Sequence, residues 1–130
     1  MTASVESIVE LLGDPDAEEA SWSRVCGWAE ERYGRDPSVE SLLFLIGIHS
    51  RDGDFSVRLK KEMKQDLIME GTYLVLSTIG VYRRREAEPE PGESGWERVK
   101  TVPVLSESDQ ERLLRIAIAR YLAQTLQLGS

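Results

Sequence analysis

With 130 residues, 41% of them hydrophobic and 30% charged, the chain has enough apolar side chains for one core and enough charge to solvate its surface, so residues 1–130 are expected to form a single domain. A formal charge of −7 repels nucleic acid and anionic membrane at long range. Cys26 is the only cysteine, which excludes an intrachain disulfide and fits a reducing compartment.

The first expected helix is Ala3–Leu12. Its Glu6 and Glu10, and its lack of a basic stretch before an apolar one, speak against a secretory signal. Gly13-Asp14-Pro15 then supplies a helix-ending glycine, an N-cap aspartate and a proline at the first helical position. The same punctuation returns, with one residue inserted, at Gly34-Arg35-Asp36-Pro37. Two further helices follow from it, Pro15–Tyr33 and Pro37–Ser50. Trp22, Val25, Cys26, Ala29 and Tyr33 share one face of the former, while Trp28 points about 120° away from that stripe at 100° per residue. The latter is apolar on every side from Leu42 to Ile48, the mark of a central helix.

Arg51-Asp52-Gly53-Asp54 reads as a turn, followed by a long helix from about Ser56 to Ile79. Its second half is apolar on most faces, yet Glu70, Gly71, Thr72, Ser77 and Thr78 interrupt it too often for a bilayer span. The region 81–104 breaks the helical pattern. Val81–Arg85 and Trp96–Lys100 are expected to pair as a ribbon across a proline-stiffened connection, or to form an irregular excursion. Ser106 or Ser108 caps the last helix, Ser108-x-x-Glu111 matching a capping box, and Leu113, Leu114, Ala117, Ile118, Tyr121, Leu122 and Leu126 form its buried stripe. Leu42, Leu45, Ile46, Leu67, Leu74, Leu114, Ile118 and Leu122 are the expected common core. The fold class is all-α: a bundle of about five helices with a small β-ribbon or irregular excursion before the last.

Chemistry-bearing residues are few. The chain has no phosphate-binding glycine loop, nucleophile elbow, His-Glu-x-x-His or paired Cys-x-x-Cys. Cys26 and His49 make the one Cys–His combination, and Cys26 lies on an apolar stripe where a thiol behaves as a small hydrophobe. His49 continues the face of Leu42, Leu45 and Ile46 and is expected to meet the carbonyl end of its helix. Glu70 is the only charge between Asp66 and Arg83; an unpaired carboxylate among Leu67, Tyr73 and Leu74 would be costly, so an ion pair or hydrogen bond is expected. Glu62, Asp66 and Glu70 follow i, i+4, i+8 spacing and, with His49, form the one candidate set of metal ligands. Arg83-Arg84-Arg85 with Arg98 and Lys100 is the basic concentration, offset by Glu86, Glu88, Glu90, Glu93 and Glu97, so cross-strand ion pairs explain it better than nucleic acid does.

Leu43-Phe44-Leu45-Ile46-Gly47, Lys64-Gln65-Asp66-Leu67, Gly80-Val81-Tyr82, Gly95-Trp96 and Gln110-Glu111-x-Leu113-Leu114 together resemble a group of small uncharacterised bacterial helical proteins, over about Leu42 to Leu122. The resemblance implies a free-standing bacterial helical protein and carries no activity. The sequence therefore leads to a cytoplasmic, non-enzymatic interaction or accessory protein with no catalytic residue and no cofactor assigned. Its partner would be another protein, or a second copy in a weak homodimer, with Trp28 as the interface candidate. The alternative is a small-molecule or metal-dependent activity using Glu70, Asp66 and His49.

Overall fold

The computed structural model describes residues 15–34, 37–52, 63–86, 91, 95–100 and 104–126. Among them are four helices, α1 (Pro15–Tyr33), α2 (Val39–Asp52), α3 (Lys64–Ser77) and α4 (Glu107–Leu126), and two strands, β1 (Tyr82–Arg84) and β2 (Trp96–Arg98), between α3 and α4. The expected helix Ala3–Leu12, the expected caps Asp14 and Asp36, and the start of the long helix at Ser56 lie outside the described residues.

Local chemistry sets the helix ends. α1 has the bounds its punctuation implies, and Gly34 closes it at φ +78, donating its N–H to the Glu30 carbonyl at 2.7 Å. α2 begins two residues later than expected. Ser38 fills the cap position: its Oγ accepts the Ser41 N–H at 3.0 Å and its carbonyl accepts the Leu42 N–H at 3.1 Å. Pro37 thus precedes the cap instead of following it. At α4 the first of the two expected serines is the cap: the Ser106 Oγ accepts the Asp109 N–H at 3.2 Å. Glu111 reaches forward to Arg115 at 2.7 Å, away from the capping box expected with Ser108.

α3 stops at Ser77, before the expected Ile79. Gly80 takes φ +80, and the Val81 N–H returns to the Leu76 carbonyl at 3.0 Å, turning the chain sharply into β1. Lys100 donates to the Ile79 carbonyl at 2.9 Å and satisfies part of this helix end.

The centre of the fold is the contact between α2 and α3. Gly47 lies directly on the backbone of Leu67, and Gly71 directly on the backbone of Leu43; a Cβ at either glycine would overlap the facing carbonyl. The two contacts are reciprocal. Each glycine follows by four residues the leucine that its partner glycine touches, so the helices run antiparallel with Leu43 level with Gly71 and Gly47 level with Leu67. Such proximity brings each glycine Cα–H toward a carbonyl oxygen, the arrangement of the weak Cα–H···O bonds seen between close helices. It also lets Leu42, Ile46, Leu67 and Val75 bury to 1% exposure or less.

α4 lies across this pair and against α1. Its Leu113, Ala117, Ile118 and Leu122 are buried, together with Val25 and Ala29 of α1. Leu42, Leu45, Ile46, Leu67, Ile118 and Leu122 are buried as expected, whereas Leu74 and Leu114 are half-buried at the edge of the cluster. Their places deeper in are taken by Val75, Val81 and Ile116.

The ribbon is antiparallel, pairing Tyr82 with Arg98, Arg83 with Glu97 and Arg84 with Trp96. Two strands alone are marginal in water. Here buried Trp96 anchors them to α3: its ring stacks on Tyr73 with centroids 6.0 Å apart, and Tyr82 meets Tyr73 edge-on at 4.9 Å.

The glycines provide a sharp test of this packing. Gly47→Ala and Gly71→Ala should each destabilise the chain by about 1–3 kcal/mol or more in urea unfolding, because the added methyl forces the helices apart. Gly27, also within a helix but with open space where a Cβ would stand, should respond oppositely, Gly27→Ala gaining about 0.4–1 kcal/mol. Equal responses at the three positions would disprove the close crossing.

Candidate functional site

The sequence's most conspicuous residue, Glu70, is at the edge of α3 facing the ribbon and not in the driest part of the core. Its side chain keeps 22% exposure and accepts a hydrogen bond from the Arg84 Nη2 at 3.3 Å. The expected ion pair is thus present, and its cause is the strand alternation. Arg84 and Trp96 are directly paired, so both project from the ribbon face that also carries Tyr82, the face that meets α3. The Arg84 guanidinium lies 4.4 Å from the Trp96 ring centroid while reaching Glu70, so one cation serves a carboxylate and an aromatic face. On the opposite face, Arg83 donates to Glu97 at 2.8 Å, which raises the guanidinium pKa beyond its ordinary value, chiefly through that hydrogen bond.

Among the described residues, Asp66 and His49 do not gather with Glu70 into a ligand set. Glu62 lies outside the described residues. Asp66 is exposed on the first turn of α3, and His49 is half-buried in the last turn of α2. Because Gly47 is level with Leu67, His49 is level with the start of α3, roughly 8 Å along the axis from Glu70 at 1.5 Å per residue. Among the described residues no three His, Cys, Asp or Glu side chains gather as a ligand set.

Trp28 is half-buried against the core and meets Tyr33 edge-to-face at 6.0 Å. Much of its surface is therefore engaged within α1. A more open feature lies on another side of this helix. Between α1 and α4 runs a cleft of about 630 Å³ lined by Trp22, Cys26, Gly27 and Glu30 from one wall and Arg112 and Arg115 from the other. The Arg115 guanidinium lies 5.4 Å from the Trp22 ring centroid and is paired with Glu111 at 2.7 Å. Arg112 pairs with Asp109 at 3.4 Å. Trp22 was legible only as a stripe residue; the arginines that meet it come from a helix about 90 positions later in the chain. Helical spacing places Arg112 and Arg115 on neighbouring faces, but no periodicity relates them to α1.

Comparison with protein-family models, with curated proteins and with solved structures finds no match to this chain.

The Glu70 pair has a measurable strength. Its arginine is 59% exposed, so solvent screens the attraction. A double-mutant cycle between Glu70→Gln and Arg84→Gln should give a coupling of about 0.2–1 kcal/mol by thermal unfolding. A coupling several times larger would mean that the pair is desolvated and that Glu70 lies in the core after all.

Proposed function

We propose that this chain is a non-enzymatic interaction or accessory protein, bacterial and cytoplasmic, which receives a protein partner in the cleft between α1 and α4. The observation that carries this reading is the pairing of Trp22 with Arg115 at the cleft. Tryptophan and arginine are the residues most enriched where binding energy concentrates, and here a rigid ring is presented with a guanidinium already positioned above it. Neither group requires much ordering when a partner arrives, since α1 and α4 hold both from opposite walls.

The remaining lining supports a protein surface as the occupant. Glu30 opposite Arg112 and Arg115 offers both signs of charge, which suits the mixed rim of a protein interface. Gly27 leaves the α1 wall without a side chain at its middle, so a partner's side chain can approach the helix backbone. Trp28 belongs to a separate side of α1 and provides the surface for a weak homodimer, where its half-buried ring would be completed by a second copy.

A substitution that fills the cleft without touching the core tests the reading. Gly27→Arg has open space where its Cβ would stand and replaces a helix-weakening residue, so the fold should tolerate it. Tagged chain purified from its native cell should retain a discrete protein at near-stoichiometric amount, and Gly27→Arg should lose it while melting at or above the wild-type temperature. Retention of the same protein by Gly27→Arg would remove the cleft from the interface.

A further inference from the structure

A second groove lies on the other side of α4, between that helix, the end of α3 and the ribbon. It measures about 380 Å³, within the range of small-molecule sites. Leu76, Val81, Leu105, Leu113 and Leu114 give it an apolar lining, and among the described residues one charged side chain, Arg98, borders it.

The polar groups around it are unequal. Thr72 donates its hydroxyl to the Ile68 carbonyl at 2.8 Å, and Gln110 donates to the Leu105 carbonyl at 3.0 Å. Both are engaged within the fold. Arg98 differs: among the described residues it has no carboxylate partner and no aromatic ring beneath it, in contrast to its counterpart Arg84. The contrast follows from register. Arg98 pairs with Tyr82, and Arg84 with Trp96, so both arginines project from the same ribbon face, two positions apart on the ladder. Arg84 lands on Glu70 of α3. Arg98 lands beside the groove, where α3 offers Thr72 and Leu76 and no acid.

We propose that this groove binds a small amphipathic acid, a single carboxylate on an alkyl body. The carboxylate is held by Arg98, and the alkyl chain lies along Leu76, Val81 and Leu114. A planar guanidinium can hold one carboxylate through two parallel hydrogen bonds, and the apolar lining accounts for the rest of the ligand. A phosphate dianion fits less well, because among the described residues the groove brings one cation to it. The overall negative charge does not forbid an acid here. At physiological salt, charges more than about 8 Å away are largely screened, so Arg98 dominates the local field.

The experiment is a titration of the ¹⁵N-labelled full chain with octanoate, followed by amide chemical shifts, with octylammonium as the control of opposite charge. Octanoate should produce saturable shifts centred on Leu76, Val81 and Leu114, and octylammonium none that saturate. Arg98→Gln, at an exposed position, should keep the wild-type spectrum and bind octanoate about tenfold more weakly. Absence of saturation by octanoate, equal affinity in Arg98→Gln, or equal binding of octylammonium would each overturn the proposal. Because Gly27 and the α1–α4 cleft take no part, these outcomes are independent of the protein-binding reading.

Discussion

Two glycines lying on each other's helix backbones set the geometry on which the other elements depend. Ordinary side chains hold helix axes about 8–10 Å apart, and the reciprocal contacts of Gly47 with Leu67 and Gly71 with Leu43 remove that spacing at one point on each helix. The crossing fixes which residue of α2 is level with which residue of α3. It therefore fixes where the C-terminal end of α3 turns at Gly80, and so where the ribbon begins. Tyr73, two positions beyond Gly71, is consequently placed under Trp96 and Tyr82. Backbone contact at these two points leaves no room for an intervening side chain, so the register is held there.

This constraint also explains the separation of the residues that look chemically most active. Glu70 and His49 are on different helices that pack intimately, so proximity was a natural expectation. The antiparallel register instead assigns them to opposite ends of the contact. Glu70 then meets the ribbon, where strand alternation delivers Arg84, while Arg98 from the same face is delivered beyond the reach of any acid on α3. The functional proposals rest on residues that packing brings together: Trp22 with Arg115 on one side of α4, and Arg98 beside an apolar groove on the other.

Local signals were the legible part. The bounds of α1 follow from Pro15 and Gly34, and the ribbon from two short runs of strand-forming residues flanking a proline-rich connection. Caps were harder, because aspartate and serine compete for the same role. Asp36 has a suitable side chain, but Ser38 holds the first turn of α2, and of the two serines offered for α4 it is Ser106 that holds the first turn. Periodicity also states which side of a helix is apolar without stating what covers it. Leu74 and Leu114 lie on apolar faces and remain half-buried at the edge of the core, Leu114 beside a groove. The crossing itself left a trace: Leu43 to Gly47 and Leu67 to Gly71 share a Leu-x-x-x-Gly spacing in two apolar helices. Small residues at such positions permit close helix approach, a signal hidden here within runs that read simply as core. The cleft and the groove left no comparable trace, for each is assembled from elements distant in sequence.

The crossing can be observed directly by nuclear Overhauser spectroscopy of the full chain. The structure requires cross-peaks linking the Gly47 Hα protons to the backbone protons of Leu67, and the Gly71 Hα protons to those of Leu43, at intensities typical of backbone atoms in contact. Finding both sets would establish the reciprocal contact and its antiparallel register. If both glycines are resolved and show contacts only to side-chain methyls of the facing helix, the backbones are held apart by ordinary packing and the account is contradicted.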